Sequence, residues 1–435
     1  MKKTAVLTVL AAITILASCA DVPDNIKDKK QGQEDKVAVS GGVTVDKLLD
    51  GAEDISAYIK EKKYDEKFIL DNDIRISVPE HLYELETETV SGAHLKFPEV
   101  YAALFGKDFY ADSGAKELSE LPLYSQHLDD PGFFFDDWST MGNDIIFSGG
   151  GSTNPDSKQH LDISTGGFMF FKDEKYDTDG DLKEIIDCSA GEIPNQVIVM
   201  KNNEKSTVRT VVNNIEKKFS DIFTQFGNNY EYRAGRVYSY SSADGTSSLY
   251  IDMEKYYKGV PFFNHIIGEY PVEGRRQFAP IYIAEADEPD HIFDIDCPYG
   301  VDRVISETEL TGGLVSLPSA IDIMNNELSP KIKLNISAAR LSYICDFDSA
   351  DTDAALAMLK EGKKGEMTKE QLNAAGNPTL VPGRKYKAYP VWEFRMDKNR
   401  KDENGSYLQR EACDIITVDV QTGKMTTYFD TISQR

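Results

Sequence analysis

The chain has 435 residues, with 48 Lys and Arg against 73 Asp and Glu, a formal charge of −25. Such a chain repels phosphate backbones and anionic lipid headgroups, which excludes nucleic acid as a partner and electrostatic docking on a bilayer. Tyr (22) and Phe (21) far outnumber Trp (2), a balance that suits sheets half buried and half wet.

The first nineteen residues stand apart from the rest. Lys2 and Lys3 precede an apolar run over residues 4–16, and Leu16, Ala17 and Ser18 lead into Cys19. At about 13 residues the run is too short for a stable membrane span, which needs about 20. This order of basic start, short apolar core, small residues and cysteine resembles the export signal and lipobox of a bacterial lipoprotein. The resemblance implies cleavage after Ser18, lipidation of Cys19 with a diacylglyceryl group and palmitate, and an anchor on the extracytoplasmic face of the cell membrane. Loss of residues 1–18, which carry two lysines and no acid, takes the formal charge from −25 to −27. Lipid rather than surface charge must therefore hold the protein at the membrane.

Residues 19–45 are polar, charged and poor in aromatics, and read as a flexible tether. An N-terminal α+β region over 46–205 follows. Apolar Leu48, Leu49, Ala52, Ile55 and Ile59 predict an amphipathic helix over 47–60. Residues 75–79 read as a strand ending at Pro79, and 97–105 as a helix stopped at Gly106. Residues 168–171 and 196–200 look like buried strands. The clearest helix covers 208–226, where Val208, Val211, Val212, Ile215, Phe219, Ile222, Phe223 and Phe226 form one stripe and Gly227 ends it. Strands follow at 230–240, at 249–256 after an Asp244-Gly245 turn, at 280–284 and at 291–296.

A second unit of helix then strands occupies 306–435. Ser316 caps a helix that has Pro318 in its first turn and runs through Leu328. Residues 332–345 read as a strand. A short helix is predicted over 353–360, and Thr368 with Gln371 reads as a capping box. Residues 386–396 alternate, with Trp392, Phe394 and Met396 on one side and Glu393 and Arg395 on the other. Residues 414–420 and 425–429 form a hairpin closed at Gly423.

That second unit resembles a PepSY-type repeat, on its Ser-Leu-Pro-Ser-Ala helix start, its Ala-Tyr-Pro-Val-Trp-Glu-Phe strand, and the hairpin Val418-Asp419-Val420-Gln421-Thr422-Gly423-Lys424. Residues 256–263, with their Gly-Val-Pro step, are similar to a strand of such domains, which makes 206–305 a diverged first copy. The resemblance implies an α+β fold: antiparallel sheets with helices packed on one face, as tandem PepSY-like units in the C-terminal half. It also implies binding or restraint of a partner protein rather than catalysis, and brings no site residue with it.

Candidate chemistry is sparse. Asp177, Asp179 and Asp181 stand at alternate positions, as oxygen ligands of Ca²⁺ would, but the sixth and twelfth places hold Leu182 and Cys188 where a calcium loop needs Gly and Glu. The stretch is better read as a solvated acidic turn. Phe133, Phe134, Phe135 and Trp138 lie beside Asp136 and Asp137, a pattern that stacks sugar rings or, more commonly, plugs a local core. The glycine-rich run 148–153 lacks the Gly-Lys-Ser/Thr of a phosphate loop. His81, His94, His127, His160, His265 and His291 form no H-x-x-x-H, there is no G-x-S-x-G, and no cofactor is implied. His291 meets Asp294 or Asp296 only if folding arranges it. Cys188, Cys297, Cys345 and Cys413 allow two disulfides in three pairings, or free buried thiols, and lack a C-x-x-C. The reading drawn from all this is a lipid-anchored, non-catalytic module that acts on another envelope component. The alternative is a glycan- or peptide-binding lipoprotein, and the third reading an envelope hydrolase.

Overall fold

The fold is that of a computed structural model, which describes residues 42–70, 74, 76–113, 116–117, 159–163, 169–173, 180–188, 193–263, 282–297, 301–346, 383, 385–397 and 413–428. It is α+β, with antiparallel sheets and a small number of helices. The signal segment, Cys19, most of the tether, Phe133, Phe134, Phe135, Trp138, Asp177, Asp179, the glycine-rich run and the predicted elements at 353–371 lie outside the described residues.

The N-terminal part departs from the sequence reading in three places. The helix expected over 47–60 is a single 3₁₀ turn at Val45–Lys47 followed by α1, Ile55–Glu61. Gly51, at φ +83°, breaks the path between them, and the Asp54 carboxylate restarts it by accepting from the Ala57 N–H at 2.9 Å. The apolar stripe is still buried at Leu48, Ala52, Ile55 and Ile59. Of the strand expected over 75–79, residues 76–79 join no sheet and residue 75 lies outside the described residues. Two strands escaped the sequence reading here: β1 (Phe68–Leu70) and β2 (Tyr83–Thr89). α2 runs Phe97–Phe105 and ends at Gly106 (φ +66°), as its sequence predicts, and α3 covers Phe109–Ser113.

Next come β3 (Gln159–Ile163), β4 (Met169–Asp173), β5 (Asp181–Asp187), β6 (Val197–Val199) and β7 (Lys205–Thr207). α4, Val208–Thr224, is capped by Thr207, whose hydroxyl accepts from the Thr210 N–H at 3.1 Å, and its whole stripe is buried. β8 (Glu231–Ser241) and β9 (Ser247–Tyr257) form the hairpin closed by Asp244 and Gly245. β10 (Val260–Pro261), β11 (Tyr282–Glu288), β12 (His291–Cys297) and β13 (Asp302–Glu309) follow.

In the last part Ser316 caps α5, Leu317–Glu327, by accepting from the Ser319 N–H. The strand expected over 332–345 is two: β14 (Leu334–Ile336) and β15 (Ala338–Asp346). They part at Ser337, whose N–H donates to the Arg395 carbonyl, and β14 pairs in parallel with β1. β16 (Lys385–Asp397), β17 (Cys413–Asp419) and β18 (Met425–Tyr428) complete the chain, the last two joined by the predicted turn, where Asp419 Oδ1 accepts from the N–H groups of Gln421 and Thr422.

Two large sheets result. The first has the order β3-β4-β12-β11-β9-β8-β5, with β10 folded back on β9, and α4 packs across β8 and β11. The second has the order β13-β2-β16-β17-β18, and α5 packs on β17 and β18. β16 is its spine: β15 lies along one edge, while β2 pairs with residues 385–388 and β17 with residues 391–397 on the other. A continuous apolar core runs through both sheets, from Val237 and Ile251 to Trp392 and Phe394. Trp392 Nε1–H donates to the Val315 carbonyl. Cys188, Cys297 and Cys345 are buried thiols with no disulfide among them, and burial pushes the Cys188 thiol up to about 12.

Candidate functional site

The chemistry of the described residues gathers where the two sheets meet. β9 turns at Lys258 (φ +48°) and Gly259 (φ +81°) into β10, and Phe262 then bridges to Tyr343 on β15. The Phe263 N–H donates to the Tyr343 carbonyl at 2.8 Å, so the chain leaving β10 joins the first sheet to the second. β9 is buried along nearly its whole length, and its successive side chains leave on opposite faces. Glu254 and Lys255 therefore serve two different clusters.

Glu254 enters a tetrad with Arg340, Glu393 and Arg395. Arg340 grips Glu254 bidentately, Nη1 to Oε2 at 2.8 Å and Nη2 to Oε1 at 2.9 Å, and its Nε donates to Glu393 Oε2 at 3.1 Å. Arg395 donates from Nη2 to Glu254 Oε1 at 3.2 Å and from Nε to Glu393 Oε1 at 2.5 Å. The Tyr256 hydroxyl donates to Glu254 and the Ser342 hydroxyl to Glu393, so all four carboxylate oxygens accept. Glu254, Glu393 and Arg395 are at most 3% exposed. Burial alone would raise the Glu254 carboxyl, but Arg340 and Arg395 overcome it and hold it at about 2. Two guanidinium and two carboxylate charges cancel, and bidentate geometry offsets their desolvation. The four charges of the tetrad are paired with one another, and Arg340, at 14% exposed, is its most open member.

It also shapes the neighbouring strand. A Cβ on Gly235 of β8 would fall 2.5 Å from Glu254 Cδ, so only glycine fits beside the carboxylate. The strand register slips there, and the Glu216 carboxylate on α4 accepts the Ala234 N–H at 2.7 Å. Burial raises the Glu216 carboxyl.

On the other face, Lys255 Nζ lies 2.6 Å from Asp302 Oδ1, with side chains 1% and 5% exposed. Nζ sits over the rings of Tyr230 (4.3 Å) and Phe262 (4.1 Å). The other carboxylate oxygen, Oδ2, accepts from the Tyr230 hydroxyl at 2.9 Å and from the Tyr386 hydroxyl. Burial first, and Asp302 next, push both phenols well above their ordinary range.

The residues singled out in the sequence do not converge. Asp181 is exposed at the start of β5, with Lys183 at 3.2 Å. His291 Nδ1 meets the buried Asp287 at 2.7 Å, whereas Asp294 pairs with Lys172 and burial raises Asp296. His81 lies on the surface beside Glu309. Among the described residues no group of three His, Cys, Asp or Glu is placed to hold a metal, and no helix is long and apolar enough to cross a membrane. Sequence reasoning missed Glu254, Lys255, Asp302 and Arg340. The one signal was a charged pair inside the aromatic β run 249–257.

No protein family and no curated protein matches the chain. Among solved structures, the chain is similar to an uncharacterized protein from Eubacterium rectale, at 10% identity and a TM-score of 0.41, over 84% of this chain and 92% of that one. A likeness of that depth carries no argument about activity.

Proposed function

We propose that the chain is a lipid-anchored extracytoplasmic protein whose body is a non-catalytic binding or regulatory module for another envelope component. The observation that carries the anchor is the run from Lys2 and Lys3 through the apolar residues 4–16 to Leu16-Ala17-Ser18-Cys19. The tetrad supports the non-catalytic body, because its charges are spent on one another. The tandem PepSY-like reading belongs to this proposal too. It is supported by the repeated order of one helix followed by antiparallel strands, α4 before β8–β10 and α5 before β15–β18.

The test is metabolic labelling with an alkyne fatty acid in wild-type and Cys19→Ser cells, followed by photo-crosslinking of the labelled protein. Label that depends on Cys19, and a partner protein recovered reproducibly, are expected. Label that persists in Cys19→Ser overturns the anchor, and crosslinking that recovers no reproducible partner overturns the binding role.

A further inference from the structure

We propose that Lys255 and Asp302 condense into an intramolecular amide that ties β9 of the first sheet to β13 of the second. The two side chains already stand at contact distance in a site closed to water, Nζ to Oδ1 at 2.6 Å. Both backbones are held, β9 between β8 and β11, and Asp302 by its pairing with Thr89 on β2. Fixing an amine and a carboxyl in this way replaces an encounter in solution by a unimolecular step, the largest factor in favour of an otherwise slow condensation. The rings of Tyr230 and Phe262 flank Nζ and confine it to the carboxyl.

The phenols supply the second requirement. Both hydroxyls donate to Oδ2, the oxygen on which negative charge gathers when an amine adds to Cγ. Their raised pKa values keep them protonated and donating.

In the reaction one proton passes from Nζ to Oδ1 along their contact, leaving a neutral amine and a carboxylic acid. The Nζ lone pair forms a bond to Cγ, and Oδ2 carries the negative charge between the two phenols. A second Nζ proton passes to Oδ1, the Cγ–Oδ1 bond breaks, and Oδ1 leaves as water while the Cγ=Oδ2 double bond re-forms. One amide and one water result, with no oxidant, reductant or co-reactant.

Other close lysine–carboxylate pairs lack these conditions. Lys258 and Glu307 also meet at 2.6 Å, but their side chains are 44% and 33% exposed. Lys387 and Glu84 lie in the open as well. Arg340 and Arg395 hold their carboxylates as closely, yet a guanidinium is a poor nucleophile.

The product is read directly by peptide mapping of the protein purified from membranes, after denaturation and trypsin. Trypsin does not cleave after an acylated lysine. The expected result is one branched peptide joining residues 237–258 to residues 277–303, lighter by one water than the two together, and absent from Lys255→Arg. Cleavage after Lys255 in the wild-type protein, with both peptides recovered separately at full mass, overturns the proposal. The wild-type map decides the matter even if the variant fails to fold.

Discussion

Glu254 and Lys255 are adjacent on β9, yet the clusters they enter behave as opposites. Glu254 meets planar guanidinium forks that match a carboxylate two bonds at a time, and the tetrad closes on itself with all four carboxylate oxygens engaged. Lys255 brings a compact ammonium, which satisfies one oxygen of Asp302 and leaves the other to two phenols. Both are buried, with Arg340, at 14% exposed, the most open side chain of the two ion clusters. The choice of cation thus separates a structural clamp from a site with the geometry of a reaction.

The contrast is broken most strongly inside the tetrad. Glu393→Gln leaves Arg340 and Arg395 without half of their counter-charge, and it should cost about 3–5 kcal/mol in urea unfolding. A loss below about 1 kcal/mol would mean that the tetrad contributes no more than a surface pair.

The acid limb tests the electrostatic half of the comparison. Glu254 lies at about 2 in the fold against an ordinary 4.5. A depressed carboxyl stabilises fully above its unfolded value and loses that contribution as pH falls toward the folded value, about 3 kcal/mol in all. Burial raises Glu216, Asp296 and Asp419, which shifts stability the opposite way on acidification. Comparison with Glu254→Gln cancels those three. The stability gap between wild type and variant should narrow by that amount between about pH 5 and pH 2. A gap that stays constant contradicts the assignment.

Gly235→Ala pushes a methyl group against the Glu254 carboxylate and should cost about 1–3 kcal/mol by thermal unfolding. The smallest effect belongs to the exposed charge ladder of the second sheet. Lys387→Ala removes a 2.8 Å contact to Glu84 and should change stability by less than about 1 kcal/mol, and increasingly little in high salt.

Local signals in the chain survive folding well. The stripe of α4, the Gly106 stop of α2, the Ser316 cap of α5 and the turns at Asp244-Gly245 and Gly423 are all where the sequence puts them. These features depend on residues a few places apart. β2 and β13 went unseen because their sequences, rich in Glu, Asp, Thr and Ser, look like loops. In β2 Leu85, Thr87 and Thr89 are buried and Tyr83 packs against the core, while Glu84, Glu86 and Glu88 line the other face with Lys387, Lys385 and Arg303. The tetrad was half visible. Alternation in β16 sets Glu393 and Arg395 opposite Trp392 and Phe394, but nothing nearby says that their face is covered. The cover is Glu254 and Arg340, 139 and 53 residues before Glu393. Burial of that kind is a long-range property, and periodicity within one strand cannot report it.

β9 is expected to join the two sheets into one cooperative body through the clusters on its two faces. Native-state hydrogen exchange of the wild-type protein and Arg340→Met tests it most directly. Removal of the bidentate bridge should lower the protection of amides in β9 and in β16 together and by equal free energies. Loss of protection confined to β15 and β16, with β9 unchanged, would contradict it.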